Sequence, residues 1–173
     1  VTTPKGTRTY RHVFVCNGHH SEPQIPDFPG EFTGEAFHAH DYLQPEVFED
    51  KDVLVIGVGN SGMDIACDAA KLARRVCVVT RHGVHVLPKY AFGRPIDQLG
   101  SPLNAYLPFP LERRIYELIQ RISTGRPQDR GLPAPDHRLL SAHPTVSSDF
   151  CDRVGHGDIT MKPNVTRLDG DIV

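Results

Sequence analysis

The run Gly57-Val58-Gly59-Asn60-Ser61-Gly62 spaces three glycines as a phosphate-binding turn requires. In a GxGxxG turn the first glycine permits the tight bend, the second lets a pyrophosphate approach the backbone, and the third lets the following helix pack close to the preceding strand. The pyrophosphate then rests on the helix N-terminus, where unpaired N–H groups and the helix dipole favour negative charge. Asn60 and Ser61 lie at the same turn and are candidates for holding the ligand. These residues point to a dinucleotide, against the plainer alternative of a glycine turn that serves packing alone.

Which dinucleotide depends on the end of the next apolar stretch. NAD-binding units place Asp or Glu there, about 20 residues on, to accept from the ribose 2′-hydroxyl. Here Thr80 holds that position, followed by Arg81 and His82. A carboxylate would repel a 2′-phosphate, whereas a guanidinium binds it with charge-assisted hydrogen bonds. The expectation is NADPH, bound by Gly57, Gly59, Asn60, Ser61, Gly62, Thr80 and Arg81; the alternative for Arg81 is a solvated loop arginine.

Other chemistries find less support. The histidines His19-His20, His38-x-His40 and His82-x-x-His85 have no companion Cys or carboxylate at structural-zinc spacing, so no metal is expected. There is no GxSxG and no legible Cys–His pair, which leaves hydrolysis unsupported. Tyr90, Phe92, Arg94 and Pro95 form a loop able to cover a cofactor or to serve ordinary packing.

The elements that must position the turn are legible around it. Val53-Leu54-Val55-Ile56 is a continuous apolar run, MDIACDAAKLA repeats apolar residues at helical spacing, and VCVVT follows, so residues 51–80 read as a βαβ unit with a parallel sheet. Arg74 and Arg75 are expected at the helix C-terminus, facing the negative end of its dipole. Leu111, Ile115, Leu118, Ile119 and Ile122 share one face of an amphipathic helix, expected to serve packing. Tyr10–Cys16 reads as a buried strand feeding an Asn17-Gly18 turn, 21–34 and 124–136 as loops, and the end of the chain as a strand with an Asp169-Gly170 turn.

A chain of 173 residues can bury one sizeable core. With a net charge of -2 and basic residues scattered along it, nucleic acid and anionic membranes are not expected partners. No apolar run approaches the roughly 20 residues of a membrane helix. The four cysteines, Cys16, Cys67, Cys77 and Cys151, form no CxxC and suit a reducing, cytoplasmic compartment. The start at Val1 and the stop at Val173 suggest a fragment.

Upstream of the βαβ unit, residues 32–42 fit FxGxxxHxxxY through Phe32, Gly34, His38 and Tyr42. This resembles the fingerprint of flavin-containing monooxygenases. The segments CNGHHSEPQIP, GVGNSGMDIA and HRLLSAHPTVSSDF are similar to stretches of the same family. The resemblance implies a two-domain flavoenzyme in which NADPH reduces FAD, oxygen adds to the reduced flavin, and the flavin hydroperoxide oxygenates a soft nucleophile, a small molecule containing nitrogen or sulfur. Residues 1–30 and 157–173 would be return segments of an FAD-binding domain, and 31–156 a Rossmann-like NADPH-binding domain.

FAD would be bound mostly outside this chain, which has one GxGxxG, and no residue here takes a catalytic role. His38 suits fixing a loop between domains better than proton transfer. Tyr42 stands where Baeyer–Villiger monooxygenases tend to carry Trp, which favours heteroatom oxygenation while leaving ketone oxidation open. The rivals are an NADPH-dependent flavin reductase without oxygenation and a non-catalytic NADP(H)-binding module. Strands belonging to a missing domain would expose their apolar faces, so the isolated chain is expected to associate or fray.

Overall fold

The computed structural model describes residues 1–16, 18, 22–98 and 106–173. In chain order the strands are β1 (Thr2–Thr3), β2 (Gly6–Thr7), β3 (Gly30–Phe32), β4 (Asp52–Ile56), β5 (Arg75–Val79), β6 (Val86–Leu87), β7 (Tyr90–Ala91), β8 (Arg94–Pro95), β9 (Thr145–Val146), β10 (Ile159–Lys162) and β11 (Leu168–Gly170). The helices are α1 (Asn60–Leu72), α2 (Phe109–Ser123) and α3 (Phe150–His156), with single-turn 3-10 helices at Ala39–Asp41, Pro45–Phe48, Ile96–Gln98 and Pro127–Arg130. No helix among them is long and apolar enough to cross a membrane.

The centre is a parallel sheet of order β10-β5-β4, in which Val53 pairs with Val76 and Val76 with Ile159. The β4–α1–β5 unit forms as the apolar spacing requires, giving a Rossmann-like α/β fold. Met63, Ala66 and Ala69 of α1 are fully buried, and the two alanines let the helix lie close to Val76, Val78 and Ile159. Phe48, Phe150 and Cys151 complete this core. A second, smaller cluster gathers Leu87, Ala91, Ile96 and Leu139 beneath α2.

Several expectations need correction. Tyr10–Cys16 forms no strand: no described segment pairs with its backbone, and Val13, Phe14 and Val15 are 58%, 88% and 80% exposed. The Asn17 part of the expected turn, with His19 and His20, lies outside the described residues. Within 21–34, Gly30–Phe32 is a strand after all, since Leu168–Gly170 supplies a parallel partner. Ile159–Lys162, expected beyond the dinucleotide domain, instead pairs with β5, because its alternating apolar residues find the open edge of the central sheet.

Arg74 and Arg75 lie past the end of α1, and both guanidinium groups meet Asp52 at the start of β4, at 2.8 and 3.0 Å. These contacts, the Arg74 hydrogen bond foremost, hold the Asp52 carboxyl below its ordinary range. The α2 helix exists, yet its apolar stripe faces outward: Leu111, Ile115, Leu118 and Ile122 are 40–65% exposed. The helix docks instead through Tyr116, Ile119 and Gln120. Gln120 is buried, and its amide donates to the Val86 carbonyl at 3.1 Å and reaches His85 at 3.2 Å. A buried amide must be satisfied, and that requirement fixes the rotation of the helix.

Candidate dinucleotide-binding site

β4 and β5 run parallel, so their C-terminal ends meet at one edge of the sheet, where ligands of open α/β sheets bind. Gly57 opens the turn with φ +106°, a conformation that a side chain disfavours, and its N–H donates to Val79 O at 2.9 Å. At Gly62 an added Cβ would come within 2.6 Å of the Gly57 carbonyl oxygen, so only glycine lets α1 start this close to the turn. Gly59 is different: a Cβ there would meet nothing within 4 Å. The space beside it is open, as the approach of a pyrophosphate requires.

Gly59 is also the N-cap of α1, and no side chain caps it. The first intrahelical bond is from Met63 N–H to Gly59 O, so the N–H groups of residues 59–62 have no partner within the helix. The first turn carries no acidic residue. Unpaired donors, a positive dipole end and an open approach are together what binding of an anion requires.

The hydrogen bond between Gly57 and Val79 brings the end of β5 beside the turn. Thr80 follows directly, and its hydroxyl donates to His82 O at 2.7 Å, closing the bend that carries Arg81. Arg81 is exposed and makes no ion pair among the described residues. Spacing did not reveal a nearby acid, Asp136, brought in by the bridge between Gly83 and Pro135. Its carboxylate is 2.9 Å from His137 Nδ1 and 3.0 Å from His82 Nδ1, and the His137 contact is the main cause of its lowered pKa.

Two further contacts escaped sequence reasoning because they join residues 87 and 86 positions apart. The Thr145 hydroxyl donates to Val58 O at 2.9 Å, and Val146 N–H donates to Asn60 Oδ1 at 2.7 Å. Asn60 is therefore held by β9 as well as facing the turn.

The fingerprint residues gather elsewhere. Phe32 ends β3, and a Cβ at Gly34 would overlap its ring, which accounts for glycine two positions on. His38 Nδ1 accepts from His40 N–H at 3.1 Å and caps the 3-10 turn at Ala39–Asp41. Tyr42 stacks on Phe48 with 5.4 Å between centroids and donates to Asp68 of α1 at 3.1 Å. Burial, then the Asp68 contact, pushes its hydroxyl pKa up to about 12. Asp68 lies about 12 Å along α1 from Asn60 at 1.5 Å per residue, so the fingerprint braces the helix away from the turn.

Among the described residues no three metal-ligating side chains converge. The buried Cys67 thiol is pushed up to about 11 by desolvation, which disfavours a thiolate nucleophile. Tyr90 and Phe92 lie on the β7–β8 hairpin, 65% and 71% exposed, and Lys89 at its base pairs with Asp64 of α1 at 3.3 Å.

A family model described as flavin-binding monooxygenase-like matches residues 2–172. The chain is 34% identical over 176 residues to flavin-containing monooxygenase 5 of Homo sapiens, covering 93% of this chain and 32% of that protein. Against the Mus musculus flavin-containing monooxygenase 5 the identity is 39% over 162 residues, covering 88% and 30%. Against dimethylaniline monooxygenase (N-oxide-forming) 2 of Mus musculus it is 34% over 165 residues, covering 90% and 31%. The chain thus spans about a third of the length of the curated relatives it matches. Among solved structures, an oxidized steroid monooxygenase bound to NADP aligns with a TM-score of 0.49 at 16% identity, covering 83% of this chain and 38% of that one. The matched span, nearly the whole sequence, assigns this chain to the flavin-binding monooxygenase-like family.

Proposed function

We propose that this chain binds NADPH for a flavin-dependent monooxygenase that oxygenates small molecules containing nitrogen or sulfur, in a reducing, cytoplasmic setting. The observation that carries the reading is the uncapped N-terminus of α1 behind an open Gly59, with Arg81 at the adjoining strand end. The pyrophosphate fits against the N–H groups of residues 59–62. The 2′-phosphate fits the Thr80–Arg81 bend, where Arg81 is exposed and Asp136, which pairs with the adjoining His82, is engaged by two histidines.

Bound FAD would supply oxygen activation, and this chain's residues would hold and orient the dinucleotide and keep water from it. The name of one relative, N-oxide-forming, supports a heteroatom as the oxygenated centre. Residues 31–156 together with β10 make up the dinucleotide unit in this reading. Residues 1–30 and those after Lys162 belong with an FAD-binding domain, which the exposed apolar run Val13-Phe14-Val15 supports.

Calorimetric titration with NADP and with NAD tests the assignment. The expected result is tighter NADP binding, with the advantage lost in Arg81→Ala, at about 1.4 kcal/mol for each tenfold. Equal affinities in the unaltered chain would remove Arg81 as a phosphate clamp. A folded chain that binds neither would end the dinucleotide reading.

A further inference from the structure

Two of the hydrogen bonds described above fall on either side of Gly59. One runs from Thr145 to the Val58 carbonyl, the other from Val146 to the Asn60 side chain. Thr145 is 4% exposed and Val58 6%, so the first bond is shielded from water. A carbonyl oxygen bonded to Thr145 is not free to turn toward an incoming anion, which it would repel. The segment that makes these bonds is itself fixed. Thr145 N–H donates to His85 O at 3.0 Å and Ser147 N–H to Leu87 O at 2.9 Å, in the parallel β6–β9 pair. Ser147 Oγ accepts from the N–H of Phe150, a fully buried core residue.

We propose that Thr145 is a positioning residue for the dinucleotide, holding the glycine turn in its binding shape through the Val58 carbonyl. This rests on the NADPH reading above. A turn of three glycines has wide conformational freedom, and ordering it at the moment of binding would weaken affinity. The β9 clamp orders it beforehand. Because β6 follows the Thr80–Arg81 bend within a few residues, the same ribbon ties the pyrophosphate end of the site to the ribose-phosphate end.

The test is NADP affinity in Thr145→Val, which keeps the shape and removes the donor, beside Thr145→Ser, which keeps the donor. Thr145→Val is expected to bind NADP about tenfold more weakly and Thr145→Ser to recover most of the loss, with the ratio of NADP to NAD affinity unchanged because Arg81 is untouched. A lowered melting temperature with unaltered NADP affinity below it would make Thr145 a support of the fold alone and overturn the inference. Should Thr145→Val fail to fold, hydrogen exchange at the Val146 amide of the unaltered chain without NADP decides: the amide is expected to be protected as strongly as those of the central sheet, and exchange at the rate of an open loop overturns the clamp. Binding by the unaltered chain with no effect in Thr145→Val refutes this inference only, whereas no binding by the unaltered chain refutes the NADPH reading with it.

Discussion

Tyr42 links the segment before β4 to the helix that follows the glycine turn. Its ring packs on Phe48 and its hydroxyl reaches Asp68, so it fastens the 32–42 segment to the outer side of α1. The hydroxyl keeps its proton to a higher pH in the fold, to about 12, than its ordinary value of 10.0. A group with a raised folded-state pKa stabilises the fold fully below the unfolded value, and that stabilisation is lost as pH rises from about 10 toward 12. Tyr42→Phe is expected to lower stability by about 1 kcal/mol at neutral pH and to flatten this alkaline decline, measured by denaturant unfolding between pH 7 and 11. A variant with an undiminished alkaline slope would show that Tyr42 is not its source. The glycines at 57 and 62 were legible from spacing because each answers a local steric demand, and Gly59 because the same spacing places it where the side of the turn is open. Thr145, Asp136 and Gln120 were not, since their roles depend on partners brought together only by the fold.

At the scale of elements, the βαβ unit could be read because strand, turn and helix each declare themselves locally, whereas the orientation of α2 could not. Its periodicity marks an apolar stripe, but the stripe that packs is set by satisfaction of Gln120 and by contacts of Tyr116 and Ile119 with the second core cluster. The two faces therefore have different energetic weights. Leu118→Gln and Ile122→Gln are each expected to cost less than about 0.5 kcal/mol, as exposed substitutions do. Ile119→Ala is expected to cost about 2 kcal/mol by lost packing. Denaturant midpoints of the three variants check this, and a larger loss at Leu118 or Ile122 would mean that the outward stripe is covered in solution. The strand at Tyr10–Cys16 failed for a related reason. Its residues suit a sheet, but a strand is stable only where another backbone pairs with it.

The whole molecule divides into a packed α/β centre and apolar surface that no described residue covers. The centre presents one sheet edge at which the uncapped α1, the open Gly59 and the Arg81 bend adjoin. The uncovered surface, at Val13–Val15 and along α2, fits a chain that makes up about a third of its relatives' length. Fold class and the sheet edge that carries the glycine turn were therefore readable from a 30-residue stretch, while the placement of β10 and the β3–β11 pair required long-range pairing that no local pattern encodes. NADP affinity in Gly59→Ala, measured beside melting temperature, tests dinucleotide binding at this turn most directly. The added methyl meets no protein atom within 4 Å, so the fold should melt as the unaltered chain does, while the methyl occupies the path of the pyrophosphate and weakens NADP by about tenfold or more. Unchanged NADP affinity in a folded Gly59→Ala chain would mean that the dinucleotide does not lie on this turn.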